Sequence, residues 1–114
     1  MAIERIQSGP RMSQAVVHNQ TVYLAGQVGS GASVTEQTKN ILANIEKLLA
    51  SAKSDKSKIL SATIWLTDMS TFAEMNAVWE AWVVAGATPA RATVLSQQLA
   101  GPEYKIEIGI IAAQ

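Results

Sequence analysis

Apolar residues change their spacing along the chain from strand-like to helix-like and back, and this order restricts the possible folds. From Thr35 the apolar positions recur at the spacing of one buried helix face: Ile41, Leu42, Ile45, Leu48, Leu49 and Ala52. A second helix is predicted from Thr71, where Thr71 and Glu74 have the spacing of a capping box, to Gly86 as its end. Its predicted buried stripe is Phe72, Met75, Trp79, Trp82 and Val83.

Segments with strand periodicity lie on both sides of the predicted helices. After a weakly alternating stretch at residues 1–8, strands are predicted at residues 13–18, 21–25, 59–67, 91–96 and 104–112. His18, Asn19 and Gln20 form a predicted hairpin turn, and residues 26–33 a loop whose glycines lack the spacing of a phosphate-binding loop. This order predicts a single α+β domain over residues 1–114, with two helices on one face of a sheet.

The alternation within the strands predicts which residues face the helices. This set is Leu60, Ala62, Ile64, Leu66, Ala92, Val94, Tyr104, Ile106, Ile108 and Ile110. The helix-free face then carries Trp65, Arg91, Thr93, Leu95, Lys105, Glu107, Gly109 and Ile111. Because such a face is more apolar than water-facing strands usually are, we expect it to be a subunit interface with a polar site set into it.

Composition narrows the classes of function. Nine Lys and Arg balance nine Asp and Glu, which argues against a broad basic surface for nucleic acid or anionic lipid. Charged residues are only 16% of the chain and hydrophobic residues 48%, which favours contact with another subunit. The absence of cysteine and the single histidine, His18, exclude cysteine-based and multi-histidine metal sites within one chain. Without a signal-peptide pattern or a membrane-length apolar stretch, we expect a cytoplasmic protein.

Arg91 and Glu107 allow two interpretations. In the structural one they are an ion pair or separate surface charges, worth about 0–1 kcal/mol when exposed. In the functional one Arg91 binds a substrate carboxylate, because a guanidinium offers two parallel donors to two oxygens. Glu107 then holds or deprotonates a water beside the bound ligand. Spacing alone leaves both interpretations open.

Four motifs, in this order along the chain, resemble the RidA/YjgF family of reactive intermediate deaminases. They are Gly26-Gln27, the segment FAEMNAVWEAW that contains Asn76, the segment PARATV that contains Arg91, and the segment KIEI that contains Glu107. The resemblance covers nearly the whole chain and is strongest to the short bacterial RidA-like members. It implies a chorismate-mutase-like mixed sheet and a homotrimer whose sheets face inward as a central barrel, with the sites in the clefts between subunits.

The resemblance also implies an activity. Active members of the family hydrolyse 2-imino acids, and their enamine tautomers, to 2-oxo acids and ammonia without a cofactor or a metal. Pyridoxal-phosphate-dependent dehydratases release these intermediates, which can damage other enzymes. An iminium carbon is already electrophilic, so orientation of the substrate and one placed water supply much of what the reaction requires.

Position by position, the resemblance assigns roles to residues of this chain. Arg91 matches the arginine that grips the substrate carboxylate, and Glu107 matches the acid associated with the attacking water. Thr93 stands where many members have cysteine, and its backbone groups are expected to contact the imine or keto end. Asn76 matches a polar residue near the cleft.

Two positions depart from the best-studied deaminases. Arg11 stands where they carry a tyrosine that closes over the ligand, and Ala25, which precedes Gly26, stands where they carry a serine. The serine hydroxyl, a hydrogen-bond partner, is therefore absent. Arg11 adds a second positive charge at the expected cleft, which favours a larger or doubly anionic ligand.

Other functions remain as alternatives to imine hydrolysis. The first is a non-catalytic trimer that binds a small carboxylate or keto acid through Arg91. Ribonuclease and translation-inhibitor activities have also been claimed for the family, but the balanced charge lacks the basic footprint of RNA binding. Chorismate mutase activity would rest on the fold alone, which is a weak argument for function.

Overall fold

The computed structural model describes residues 2–114, which contain six strands and two α-helices. The strands are β1 (Glu4–Ser8), β2 (Ser13–His18), β3 (Thr21–Gln27), β4 (Ile59–Leu66), β5 (Ala90–Leu95) and β6 (Ile106–Ala113). The helices are α1 (Val34–Ser51) and α2 (Phe72–Trp82), and short 3-10 turns at Lys56–Lys58 and Met69–Thr71 precede β4 and α2. Every predicted element is present in the predicted order, with ends shifted by a few residues. Met1, where the first predicted strand begins, lies outside the described residues.

The strands form one sheet in the order β1-β2-β3-β6-β4-β5. Neighbouring strands are antiparallel except β4 and β5, which are parallel. Because parallel neighbours need a crossover connection, the chain passes through α2 between these two strands. The two helices contact each other and pack against the same buried face of the sheet. The expected mixed sheet with two helices on one face is therefore confirmed.

The turn between β2 and β3 is a tight hairpin. His18 pairs with Thr21, which leaves Asn19 and Gln20 as the two turn residues. Both have positive φ angles, 52° and 63°, as a two-residue type I′ turn requires. The twist of such a turn matches the twist of the strands that it joins, so this hairpin fixes the register of β2 on β3.

The core consists of the inner stripe of α1 and the inner residues of the sheet. All six residues predicted for the buried face of the first helix are buried: Ile41, Leu42, Ile45, Leu48, Leu49 and Ala52. On β6, Ile106, Ile108 and Ile110 are also buried, as the alternation predicts. The N-terminus of α1 is capped by Ser33, whose side chain accepts a hydrogen bond from the Glu36 backbone N–H at 3.1 Å.

The predicted face of β4 is wrong at its first position. Leu60 is 52% exposed, whereas Ile59 is 6% exposed and belongs to the core. The reason is an irregularity in the pairing of β4 with β6, whose register shifts between Ile59 and Ser61. An extra residue in one strand reverses the alternation on its far side, so the pattern that holds from Ala62 onward does not extend back to Leu60.

The predicted start of α2 is in the right place, but the predicted capping box is wrong. Thr71 precedes the helix without accepting a hydrogen bond from it, and its hydroxyl instead donates to the Asp68 carbonyl at 2.6 Å. The Glu74 carboxylate accepts hydrogen bonds from Thr35 at the start of α1. The Glu74 carboxylate of the predicted capping box therefore binds the start of α1 and does not cap its own helix.

The predicted end and buried stripe of α2 also need correction. The helix ends at Trp82, because Val83 leaves the helical region with a ψ of 154°. Gly86, with a φ of 80°, lies beyond the helix in the following turn. Met75 and Trp79 are buried as predicted, and Trp82 and Val83 pack partly buried against the core, but Phe72 is exposed at the edge of the helix.

Candidate functional site

Arg91 and Thr93 lie on the helix side of β5, opposite to the prediction. In the parallel pairing of β4 and β5, Arg91 is opposite Ala62 and Thr93 is opposite Ile64, and both partners face the core. Residues opposite each other share a face of the sheet, so Ala92 and Val94 point away from the helices. The prediction failed because β5 alternates small, polar and apolar residues, so its own sequence does not mark the inner face.

The Arg91 side chain packs against two aromatic rings of α2. Its guanidinium carbon lies 5.8 Å from the centre of the Phe72 ring and 5.7 Å from the centre of the Trp79 ring. Both distances are within the range of cation–π attraction. Within residues 2–114 the one ion pair joins Lys56 to Glu46, so no described carboxylate neutralises Arg91. The structural interpretation of Arg91 and Glu107 as an ion pair within one subunit is therefore wrong.

Asn76 lies on the helix face that meets Arg91. It is four residues after Phe72 and three before Trp79, which places the three side chains along one stripe of α2. The Asn76 side-chain oxygen is buried and accepts no hydrogen bond within the subunit, and the Thr93 hydroxyl oxygen is likewise buried without a partner. Buried polar atoms nearly always have a partner, so such atoms mark a place where a ligand or a neighbouring subunit can supply one.

We refer to Asn76, Arg91 and Thr93 as the arginine half-site. It combines an unneutralised guanidinium with two unpaired oxygen-bearing side chains, beside an exposed aromatic ring. The two aromatic residues Phe72 and Trp79 were assigned to core packing from the sequence, and their contact with Arg91 was missed. The available signal was their spacing around Asn76, which places all three on one helix face.

Glu107 lies on the other face of the sheet. It pairs with Trp65 across β4 and β6, and the Trp65 ring covers Gly109 on this helix-free face. The Glu107 side chain lies against Gly26 so closely that a β-carbon at position 26 would overlap its carboxylate. Any side chain at position 26 would therefore displace the Glu107 carboxylate. We refer to Ala25, Gly26 and Glu107 as the glutamate half-site.

Arg11 lies in the turn between β1 and β2. This turn is closed by a 2.8 Å hydrogen bond from the Gly9 N–H to the Met12 carbonyl, and the Arg11 side chain is exposed. Ala15 of β2 is opposite Leu24 of β3, so the N-terminal end of β2 lies beside the end of β3 that carries Gly26. Arg11 therefore lies at the same end of the sheet as the glutamate half-site.

The two half-sites are on opposite faces of one subunit. Arg91 is beneath α2, whereas Glu107 is on the face without helices, so the sheet separates them. The expectation that one face carries both charged residues is wrong. Within one subunit the two side chains therefore extend from opposite faces of the sheet.

The helix-free face carries large exposed apolar side chains. Tyr23 is 46%, Val94 40% and Ile111 38% exposed, and Trp65 is half-buried among them. The predicted positions of Trp65 and Ile111 on this face are confirmed. Leu95 was predicted here, but it is opposite the core residue Leu66, so it lies at the edge of the helix side with 59% of its surface exposed. A face of this apolar character is typical of subunit contact.

A groove of about 600 Å³ runs between the outer surfaces of α1 and α2. None of the predicted site residues lines it.

Residues 2–114 contain no group of three His, Cys, Asp or Glu side chains placed to hold a metal ion. Neither helix of the described part combines the length and the hydropathy that a bilayer span requires.

Comparison with known proteins identifies the family. The family model described as endoribonuclease L-PSP matches residues 2–114. The RutC family protein YoaB of Escherichia coli K12 is 48% identical over 114 residues, with 99% of each chain covered. The 2-iminobutanoate/2-iminopropanoate deaminase of Mus musculus is 34% identical over 111 residues, which cover 90% of this chain and 80% of the mouse protein.

A solved structure gives the same result for the fold. The crystal structure of NMB1025, a YjgF-family protein from Neisseria meningitidis, superposes with a TM-score of 0.98. It is 47% identical in sequence, and the match covers 100% of this chain and 96% of that one. Sequence and fold therefore agree over the full length, and the chain belongs to the RidA/YjgF family.

Proposed function

We propose that the protein is a hydrolytic deaminase that converts 2-imino acids and their enamine tautomers to 2-oxo acids and ammonia. The observation that carries this proposal is the arginine half-site, where Arg91 is held against two aromatic rings without a carboxylate to neutralise it. A guanidinium in this state suits a substrate carboxylate. The mouse relative, whose name states this activity, supports the choice of substrate class.

The proposal includes a homotrimer in which each site forms between two subunits. The arginine half-site of one subunit and the glutamate half-site of the next would then face each other across the interface. Two features support this arrangement: the half-sites lie on opposite faces of one sheet, and the face that carries Glu107 is apolar. In a closed ring every subunit supplies both half-sites, so three complete sites result.

The reaction then proceeds by addition of water and loss of ammonia. Arg91 binds the substrate carboxylate through two parallel N–H donors, which fixes the position of the C=N carbon. Glu107 accepts a proton from a water molecule as the water oxygen bonds to that carbon, and the C=N π electrons pass to nitrogen. The nitrogen receives that proton and then the hydroxyl proton of the carbinolamine. As the O–H electrons form the C=O bond, the C–N bond breaks, which releases ammonia and leaves the 2-oxo acid. An enamine first gains a proton at its β-carbon to give the same imine.

The remaining residues of the half-sites orient the substrate. The Asn76 oxygen accepts a hydrogen bond from the imine N–H, which satisfies an atom that has no partner in the free subunit. The Thr93 backbone meets the imine or keto end, with its hydroxyl as an additional partner. Gly26 leaves room for the Glu107 carboxylate against the backbone, and Ala25 leaves space where a serine would add a hydroxyl. Arg11, exposed at the same end of the sheet, favours substrates with a second negative charge.

The family model's description names an endoribonuclease, but the charges of this chain favour the imine. Nine cationic and nine anionic side chains give no net attraction for a phosphate backbone. A binding module for a small carboxylate or keto acid is the second candidate, because Arg91 and its aromatic neighbours would serve binding equally well.

A coupled assay tests the deaminase. A threonine or serine dehydratase generates the imino acid, and 2-oxo acid formation is followed with and without this protein. We expect acceleration by the wild type and none by Arg91→Ala, whose trimer mass is checked in parallel. No acceleration with small or bulky amino acids would favour the binding module, for which Glu107→Gln leaves keto-acid binding unchanged.

Mixing two inactive variants tests the shared site. Arg91→Ala and Glu107→Gln are denatured together and refolded, so that subunits of both kinds enter the same trimers. Where an intact Arg91 meets an intact Glu107 of the next subunit, activity returns, at roughly a quarter of the sites in a random mixture. If the mixture stays as inactive as its components, the two residues do not act together across an interface.

A further inference from the structure

Strand β3 contains an extra residue beside the glutamate half-site. Leu24 pairs with Ile110 and Gln27 pairs with Ile108, so a step of three residues on β3 is opposite a step of two on β6. This is a β-bulge. It allows both Leu24 and Gln27 to face the helices, where they are 8% and 5% exposed, and it turns Gly26 toward the Glu107 side chain on the other face.

Both the nitrogen and the oxygen of the Gln27 side-chain amide have hydrogen-bond partners. Its nitrogen donates to the Gln14 side-chain oxygen at 3.0 Å and to the Ala25 carbonyl at 2.9 Å. Its oxygen accepts a hydrogen bond from the Asn44 side-chain nitrogen at 2.6 Å. Both amide hydrogens are used, and because the Ala25 carbonyl can only accept, it determines which way round the amide lies, while Asn44, on α1, donates to the remaining oxygen. The bond to Ala25 ties the Gln27 side chain to the backbone of its own bulge.

We propose that Gln27 is a positioning residue for Glu107. By holding the Ala25 carbonyl on the helix side of the bulge, it sets the distance between the Gly26 backbone and the Glu107 carboxylate on the opposite face. Asn44 completes the arrangement from α1 by donating a hydrogen bond to the Gln27 oxygen in this orientation. The catalytic role of Glu107 is part of the proposed deaminase function, so the expected effect on turnover rests on that function.

The buried location of Gln27 makes Asn44 the better residue to change. Asn44 is exposed, so its substitution leaves the core intact. In Asn44→Asp the new carboxylate only accepts hydrogen bonds, so it repels the Gln27 oxygen in its present orientation and favours the reversed amide, which donates to it. Reversal places the Gln27 oxygen beside the Ala25 carbonyl oxygen and breaks the hydrogen bond that holds the bulge.

Asn40→Asp is a matched control. Asn40 is also an exposed residue of α1, and its side-chain nitrogen donates to the Ser30 carbonyl at 2.7 Å. The control therefore introduces the same charge on the same helix and removes a comparable hydrogen bond. It leaves the bonds of Gln27 unchanged.

Two measurements are compared between these variants. The first is kcat and KM for imine hydrolysis. We expect Asn44→Asp to lower kcat roughly 10-fold, because a displacement of about 1 Å can cost about 100-fold in rate. KM should stay nearly unchanged, because Arg91 binds the substrate carboxylate. The second is NMR of the substrate-free protein, in which we expect a changed Gly26 amide resonance and a changed chemical shift of the Glu107 carboxyl carbon. Asn40→Asp should change neither kcat nor these two signals.

The outcomes separate this inference from the proposed function. If the Gly26 and Glu107 signals in Asn44→Asp match those in Asn40→Asp, Gln27 does not position Glu107 and the inference is overturned. If the wild type does not hydrolyse imines, the proposed function fails, and the NMR comparison still decides whether Gln27 sets the place of Glu107. Equal losses of kcat in both variants would also overturn it, because they would show a general effect of charge on α1.

Discussion

The Glu74 carboxylate of α2 binds the first turn of α1 at Thr35. One of its oxygens accepts hydrogen bonds from the Thr35 backbone N–H at 2.9 Å and from the Thr35 hydroxyl at 2.8 Å. The contact therefore satisfies a free N–H at the start of α1 and places a negative charge near the positive end of its dipole. Since Glu74 is two residues before Asn76, the same contact fixes the helix that carries part of the arginine half-site.

Glu74→Ala should lower the stability of the fold. We expect a loss of about 1 kcal/mol, similar to the loss of a helix cap. For a chain of this size that corresponds to a decrease in Tm of about 4 °C or somewhat more, measured by thermal denaturation. Glu80→Ala, on the same helix at an exposed position without a hydrogen bond among the described side chains, is the control and should change Tm little. Equal Tm values for the two variants would contradict a capping role for Glu74.

Gly26→Ala should inactivate the proposed deaminase by moving Glu107. The added methyl group would occupy the place of the Glu107 carboxylate, so we expect a decrease in kcat of at least about 10-fold. The measurement is imine hydrolysis, with trimer mass determined in parallel. Gly9→Ala is the control, because its new β-carbon would meet nothing nearer than the Met12 carbonyl oxygen at 3.6 Å. Full activity of Gly26→Ala would show that Glu107 does not act from its present position.

Thr93→Val should leave the fold at least as stable as the wild type. The Thr93 hydroxyl oxygen is buried without a partner, so replacing the hydroxyl with a methyl group removes an unsatisfied polar atom. The control is Thr38→Val on α1. The Thr38 hydroxyl donates to the Val34 carbonyl at 2.6 Å, so its removal should lower the free energy of unfolding by about 1 kcal/mol. Urea denaturation compares the two. A larger loss for Thr93→Val would reveal a partner for that hydroxyl in the assembled protein.

Asp55 and Asp68 should contribute stability that disappears in acid. Hydrogen bonds from the Ser57 side chain and backbone lower the pKa of Asp55 below its ordinary value of 3.8, and Ser70 does the same to the pKa of Asp68. A carboxyl whose pKa is lower in the folded state stabilises the fold above the ordinary pKa, and this contribution is lost as pH falls through the folded-state value. Asp55→Ala and Asp68→Ala should therefore be less stable than the wild type near neutral pH.

The test is how the difference in stability between the wild type and the alanine variants depends on pH. Urea midpoints of the wild type and the two alanine variants should converge as pH is lowered below 3.8. Asp55→Asn retains an acceptor at this position without the ionisable group, so its difference from the alanine variant should not depend on pH. A constant difference between wild type and alanine variants across this range would contradict the role of the ionised form.

The order of the elements could be predicted from the sequence, because it depends on periodicity within single segments. The stripe of α1 and the alternation of β6 are long and regular, and both are confirmed. Leu60 was misplaced because a register shift is a property of two paired strands, which one strand's sequence does not show. Glu74 was assigned to its own helix for a similar reason, since its partner Thr35 is 39 residues away.

The candidate residues could be named from the resemblance, but their arrangement could not. Arg91 and Glu107 were expected on one face, and the pairing of β5 with β4 puts Arg91 on the other. Short strands of mixed polarity do not define their inner face, because burial of β5 depends on how far α2 covers it. The network around Gln27 was also missed, since its partners Gln14 and Asn44 belong to separate elements.

The close contact of Gly26 with Glu107 limits how a protein of this kind can change during evolution. A mutation at position 26 adds at least a methyl group and moves the Glu107 carboxylate, which under the proposed function lowers activity. Positions 11 and 25 have no such restriction, because the Arg11 side chain is exposed and Ala25 is already small. Under the proposed function, new substrate preferences are therefore most accessible by mutations at these two positions, while Gly26 and Glu107 remain a fixed pair.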